Sequence, residues 1–293
     1  MEEEHDRAGR ADAGPLIRDV SDTARWVAVF RARESARPHA LFNDPYAARL
    51  AGARGQAIST ASPFHAKYAW SYVIRTWLFD RFVVAEVRAG ADLVLNLAAG
   101  LDTRPYRLDL PSRLTWIEVD LPHLLEDKSN ALGQERPRCV LERIPLDLAN
   151  VDARRELFAR IGARAARVVV LSEGLLIYLT RDGVAALARD LAAVPSFRRW
   201  VFDLASPGLL KMVQENSPAL AQANLPLQFG PAEGPAFFEP HGWRPIAVES
   251  VFRNAARQKR VGWFARLFAR LPERQPAGDR PWSGVCLLER IAG

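Results

Sequence analysis

The chain has 293 residues, 49% of them hydrophobic and 25% charged, enough to bury a large core as one doubly wound α/β unit with embellishments. No stretch approaches the roughly 18 uninterrupted apolar residues that a helical bilayer span requires, so no transmembrane helix is expected. The net charge of +6 draws anions towards the surface, but the 40 basic residues are spread without a long Lys/Arg block or a nucleic-acid module, so no nucleic-acid partner is expected.

In chain order, residues 1–14 are polar, read as neither a secretory signal nor an anchor, and form a loose tail; a soluble, cytoplasmic protein is expected. Residues 15–90 read as a helical cover. Its first helix runs over 22–36, with Ser21 or Asp22 as cap and Trp26, Val27 and Phe30 on one face; its second runs over 65–89, with Val73, Trp77, Leu78, Phe82 and Ala85 at helical spacing.

Residues 91–293 change to short apolar runs separated by helical stretches: 93–98, 114–121, 140–148, 167–172 and 199–205. Strands that alternate with helices predict a parallel sheet with right-handed crossovers. Two last strands, 243–252 and 283–292, lack a crossover of that kind and are expected to pair antiparallel, giving seven strands ending in a hairpin. Cys139 and Cys286 stand far apart with no His or Cys at ligand spacing, so they are expected in the core, with no metal site.

Ligands of such sheets bind outside the carboxyl ends of the strands. Gly100, Asp102 and Thr103 follow the first strand, Glu118 and Asp120 end the second, Asp147 follows the third and Glu173 the fourth. An acidic rim argues against a nucleoside triphosphate, which needs cations and backbone N–H groups. It suits a ligand with ribose hydroxyls, an amine and a fixed positive charge.

Three segments, NLAAGLDTRPYRL at 96–108, WIEVDLP at 116–122 and LSEGLLIYL at 171–179, resemble the leucine carboxyl methyltransferase-like branch of the S-adenosylmethionine-dependent methyltransferases, which includes bacterial small-molecule O-methyltransferases. The upstream pattern SDTARWVAVFRARESARPHALFNDPYA is similar to that branch's N-terminal cover. The resemblance implies a class I methyltransferase fold and S-adenosylmethionine as cofactor. It places Asn96 to Gly100 under the methionine and ribose portions, with Gly100 free of a side chain and Ala98 where a Gly-Ala-Gly pattern has its first glycine. An alanine suits that position only at negative φ.

By the same resemblance Asp120 accepts the ribose hydroxyls, although Glu118 shares its face of the strand. Asp147 accepts from the adenine amine with Leu148 beside the ring, and Glu173 pairs with the cofactor's ammonium. Asp102 either caps the next helix, with Pro105 in its first turn, or touches the ligand. Arg75 lies off the apolar stripe of its helix, so periodicity places it in solvent, whereas the resemblance places it on the methionine carboxylate. Lys67 reads as solvated.

Methyl transfer from a sulfonium is an in-line displacement that depends on positioning. A carboxylate acceptor needs no general base, and a phenol gains from one. Tyr178 and His241 are positioning candidates; His241, like His39, His65 and His123, is not assigned a catalytic role. The insertion at 206–240 is a candidate wall of the substrate pocket. At 253–275, Trp263, Phe264, Leu267, Phe268 and Leu271 share a helical stripe beside Arg257, Lys259, Arg260, Arg266 and Arg270. That stripe packs on the protein's own body or a dimer mate, with a membrane surface or anionic partner as the alternatives. The expected function is O-methylation of a carboxylate or phenol on a small natural product or a peptide C-terminus. The alternatives are a non-catalytic cofactor- or partner-binding module and an NAD-dependent oxidoreductase.

Overall fold

A computed structural model describes Ile17, residues 20–273 and residues 278–291. The tail expected at 1–14 lies outside them, as do the last two residues of the expected segment 253–275.

Seven strands form one sheet: β1 (Leu93–Leu97), β2 (Thr115–Asp120), β3 (Val140–Pro145), β4 (Val168–Ser172), β5 (Phe197–Ala205), β6 (Trp243–Ser250) and β7 (Ser283–Arg290). Their order is β3-β2-β1-β4-β5-β7-β6, with the first five parallel and β7 antiparallel to both its neighbours. Every strand predicted from the sequence is present, and the antiparallel pair at the end is the expected hairpin.

β1 and β4 are apolar on both faces, as a parallel strand covered by helices must be. Leu93, Leu95 and Leu97 point towards α7 (Val151–Gly162) and α8 (Arg181–Ala192), and Val94 joins the core beneath α4 (Ala69–Arg88). Side chains at the strand-to-helix junctions set where the helices begin. Asn150 accepts from the Ala153 amide at 3.1 Å and Thr180 from that of Gly183 at 3.1 Å, each satisfying a donor of a first turn. At the sheet edge β6 alternates between exposed and half-buried residues along its interior, and Pro245 sits where a missing amide costs least.

The cover differs from its expected two helices. α1 (Val20–Ser35) starts before Ser21 and Asp22, so neither is its cap, and Asp22 is ion-paired with Arg54 of α2. This α2 (Ala47–Thr60), kinked at Gly52 with φ +58°, was not foreseen. The long helix at 65–89 is two, α3 (Pro63–Lys67) and α4, separated at Tyr68. The Ser71 hydroxyl and amide both bond the Tyr68 carbonyl, at 2.7 and 2.9 Å, a local alternative to the continuing helical ladder.

The segment 206–240 forms α9 (Pro207–Asn216), α10 (Pro218–Gln222) and the start of a 3-10 stretch, Gly234–His241. The basic segment is also not one helix: α11 (Val251–Arg257) and α12 (Trp263–Phe268) are separated by Lys259 at φ +57°. Cys139 and Cys286 are both buried and free.

Candidate active site

The carboxyl ends of β1 to β5 open into a cavity of about 1420 Å³, roofed by α1, α3 and α4 and walled by α9, α10 and residues 225–229. Typical ligand pockets span about 300–1,000 Å³, so this one has room for two small molecules at once.

Beyond β1 the backbone turns at Ala98 (φ +51°) and Gly100 (φ +48°). Ala98 therefore does not meet the condition of negative φ, and an L-residue held there is strained by about 1–2 kcal/mol. The turn is fastened from two sides. Gly100 donates its amide to Asp120 Oδ2 at 2.6 Å, and Asp102 accepts from the Arg104 amide and the Asn96 side chain, both at 2.8 Å. Burial alone would raise the Asp102 carboxyl, but Arg104 and the other cations outweigh it and hold it at about 2. Asp102 thus faces the cavity while holding its own loop.

Asp120 also accepts the Leu121 amide at 2.7 Å, so each of its oxygens is pinned by one N–H and retains a lone pair towards the cavity. Burial raises its carboxyl. Glu118, two residues earlier on the same strand face, is fully buried between Lys128 (2.7 Å) and Arg143 (2.9 Å) and does not line the cavity. Of the two, only Asp120 can meet a ligand there. Asp147 is exposed on the cavity rim and accepts the Ala149 amide at 2.9 Å, with half-buried Leu148 next to it.

Glu173 has protein partners: Arg75 at 3.0 Å and Arg104 at 2.8 Å. Burial favours its neutral form, yet the two guanidiniums hold its carboxyl below the usual range. Arg75 is not in solvent, and its second partner is Asp203 at the end of β5, 3.2 Å away. Asp203 accepts the Gly174 amide at 2.6 Å, and burial raises its carboxyl. Deeper in, Arg104 meets Asp80 at 2.7 Å and Asp102 at 2.8 Å, and Asp80 also holds Arg107 at 2.7 Å. Asp44 continues the network from Arg107 (3.9 Å) to Arg31 (3.1 Å), so five carboxylates, Asp44, Asp80, Asp102, Glu173 and Asp203, stand against four guanidiniums, those of Arg31, Arg75, Arg104 and Arg107. One negative charge is in excess, and Asp102, Glu173 and Asp203 face the cavity.

Sequence reasoning missed Arg104, Asp80 and Asp203. Arg104 and Asp80 fall in no motif that singles them out, but Asp203 carried the signal used for Asp120 and Glu173, an acid closing an apolar strand.

Tyr178, on a 3-10 turn at Leu176–Tyr178, lines the cavity and hydrogen-bonds Thr23; burial raises its phenol, which therefore stays protonated as a donor. His241 is remote from the cavity, tilted against Phe237 with ring centroids 5.1 Å apart and 3.5 Å from Arg189, because the turn that carries it packs on α8. His39 and Lys67 are exposed and away from the cavity, and His123 is bonded to Ser21 at 3.1 Å. His65 does reach it: buried beside Trp26, it bonds Tyr72 through Nδ1 at 2.7 Å and Ser217 through Nε2 at 2.8 Å, and burial lowers its pKa to about 4.

The family model for leucine carboxyl methyltransferase matches residues 24–192. The chain belongs to this family. The match takes in the cover from residue 24 onward, the β1 turn, Asp120, Asp147 and Glu173. A methyltransferase relative from Frankia alni, named for dependence on S-adenosyl-L-methionine, is 33% identical over 263 residues, 86% of this chain and 90% of that one. Another so named, from Streptomyces avermitilis, is 32% identical over 281 residues, 92% of this chain and 95% of its own. In fold the chain is similar to the crystal structure of a DUF574 family protein from Streptomyces avermitilis, with a TM-score of 0.60 at 15% identity, over 92% of this chain and 97% of that one.

The cavity of this leucine carboxyl methyltransferase family member fits a sulfonium donor. Asp120, pinned yet with free lone pairs, suits a pair of hydroxyls; the side-chain-poor turn at 98–100 permits close approach; the excess negative charge at Glu173 and Asp203 suits an ammonium or a sulfonium.

Proposed function

We propose that this methyltransferase moves the methyl group of S-adenosyl-L-methionine to an oxygen of a small molecule or peptide C-terminus, and that the oxygen belongs to a carboxylate rather than a phenol. Family membership and the relatives carry the enzyme class and the donor, and the oxidoreductase and binding-module alternatives give way to them. The observation that carries the carboxylate is the state of His65. It is the one histidine among the described residues that lines the cavity; both its nitrogens are engaged, and burial holds its pKa near 4. A group so weakly basic is a poor acceptor for a phenol's proton, whereas a carboxylate is already ionised at neutral pH.

The bound donor would supply an electrophilic methyl on a cationic sulfur. Asp120 would hold its ribose hydroxyls, Asp147 and Leu148 its adenine, and the turn from Asn96 through Ala98 to Gly100, with Asp102 fixing it, would lie beneath the methionine portion. Glu173 and Asp203 would balance its positive charges, and Arg75 would be within reach of its carboxylate. Tyr178, protonated, would orient the acceptor by donating a hydrogen bond. With the donor and acceptor held in this cavity, positioning would supply much of the rate.

Transfer of labelled methyl from S-adenosyl-L-methionine to matched panels of carboxylic acids and phenols tests this reading. Turnover of acids with phenols inert is the expected result. Phenols turned over while acids stay inert would overturn the carboxylate, and transfer only to nitrogen or sulfur would overturn oxygen altogether.

A further inference from the structure

Most large apolar side chains of this protein are buried, but α12 and the residues after it are an exception. Trp263, Phe264, Leu267, Phe268 and Leu271 are 63, 61, 50, 59 and 59% exposed, so the stripe expected to pack on the protein's own body does not do so. At about 100° per residue the first four share one face of α12, with Arg266 at its edge. Arg257 and Lys259 precede that helix in sequence and Arg266 and Arg270 lie on and just after it, and none of the four takes part in an ion pair among the described residues. The patch is also continuous with the active site, because Phe268 and Leu271 line the rim of the cavity.

We propose that α12 docks the enzyme on an anionic lipid surface, with the mouth of the cavity against the bilayer. Exposed aromatic and aliphatic side chains on a short helix, with unpaired cations close by in sequence, match the boundary between acyl chains and anionic headgroups. A second copy of the chain fits worse: in a symmetric dimer across this face the four cations of each protomer would meet those of the other. An acceptor drawn from such a surface is an amphiphile whose apolar part enters the cavity past Phe268. That last step rests on the carboxylate reading above; the docking does not.

Flotation with vesicles of equal parts phosphatidylglycerol and phosphatidylcholine, compared with phosphatidylcholine alone, tests the docking. The wild type is expected to float with the anionic vesicles only, and to be released by raised salt. Two double variants, Phe264→Ser with Leu267→Ser and Arg266→Gln with Arg270→Gln, are each expected to lose at least about tenfold in vesicle affinity. All four positions lie outside the cavity lining, so both variants should bind S-adenosylhomocysteine as the wild type does, which certifies their fold. A wild type that stays in solution, or variants that float equally well, would overturn the proposal. So would a dimer in sedimentation that the Phe264/Leu267 variant dissolves, since the face would then belong to a second copy. Transfer to a water-soluble acid without vesicles reports on the carboxylate reading independently.

Discussion

Arg75 and Glu173 meet at 3.0 Å, one from the helical cover and the other from the end of β4. The same guanidinium reaches Asp203 on β5, so a single residue of α4 ties the roof of the cavity to two neighbouring strand tips. The Gly174 backbone between them has φ +69°, and a Cβ there would sit 3.7 Å from the Arg75 guanidinium.

Removal of Glu173 breaks this tie. In Glu173→Ala, Arg75 and Arg104 lose a shared carboxylate, and loss of one member of a buried pair costs about 3–5 kcal/mol. Because the Glu173 side chain retains 18% exposure, the lower end of that range is expected. Thermal unfolding should shift down by several degrees, and calorimetric titration should show S-adenosylhomocysteine binding lost. Full affinity in a folded Glu173→Ala would remove Glu173 from the donor site.

Asp120→Asn separates charge from shape at the ribose position. The amide retains one oxygen for the Gly100 or Leu121 amide, so the fold should survive. A hydrogen bond to a charged group contributes about 1.5–3 kcal/mol, so donor affinity should fall by roughly 10- to 150-fold. Glu118→Gln is the contrast. It would destabilise the β2–α6 region (α6, Pro122–Leu132) by leaving buried Lys128 and Arg143 without their counter-charge, with no specific loss of donor affinity in the folded fraction.

Ala98→Gly should stabilise the protein. Relief of a positive φ at an L-residue is worth about 1 kcal/mol, less the entropy that glycine adds to the unfolded chain. Differential scanning should show a rise of roughly 2 °C, with donor affinity equal or better. A fall in melting temperature would mean that the alanine methyl contributes packing that outweighs the strain.

His65 makes stability depend on pH near neutrality. Its folded pKa of about 4 lies below the ordinary value, so between roughly pH 6.5 and 4 the unfolded chain binds a proton that the folded chain does not. Stability should fall as pH drops through that window, by an amount on the order of 3 kcal/mol at about 1.4 kcal/mol per pH unit. Asp102, held at about 2, acts in the same direction lower down: its contribution is complete above about pH 4 and is lost on approach to 2. Denaturant unfolding of wild type and His65→Gln at pH 7.5 and 5 checks the first window; equal slopes in the two proteins would contradict it.

All seven strands and the carboxylates at the ends of β2 and β4 were legible in the sequence, because an apolar run closed by an acid reports both the strand and its tip. The environment of those acids was not. Glu118 and Asp120 look alike in sequence, and only the positions of Lys128 and Arg143 show that the first is structural. Arg75 lies in a helix whose periodicity assigns it to solvent, whereas Arg104 follows β1 in a single helical turn with no periodicity to read; both are buried because carboxylates distant in sequence meet them there. The break at Tyr68 was hidden for a different reason, since Ser71 competes for a carbonyl without altering the hydrophobic spacing.

The place of β7 between β5 and β6 also governs the order in which the molecule can be completed during synthesis. β5 is finished at residue 205, but the strand that covers its edge begins at 283, and β6 has no other partner in the sheet. A nascent chain that has already formed β1 to β5 therefore presents the open backbone edge of β5 until residues 283–290 have been made. A premature stop anywhere before β7 is therefore expected to leave a sticky, half-closed sheet rather than a smaller working enzyme.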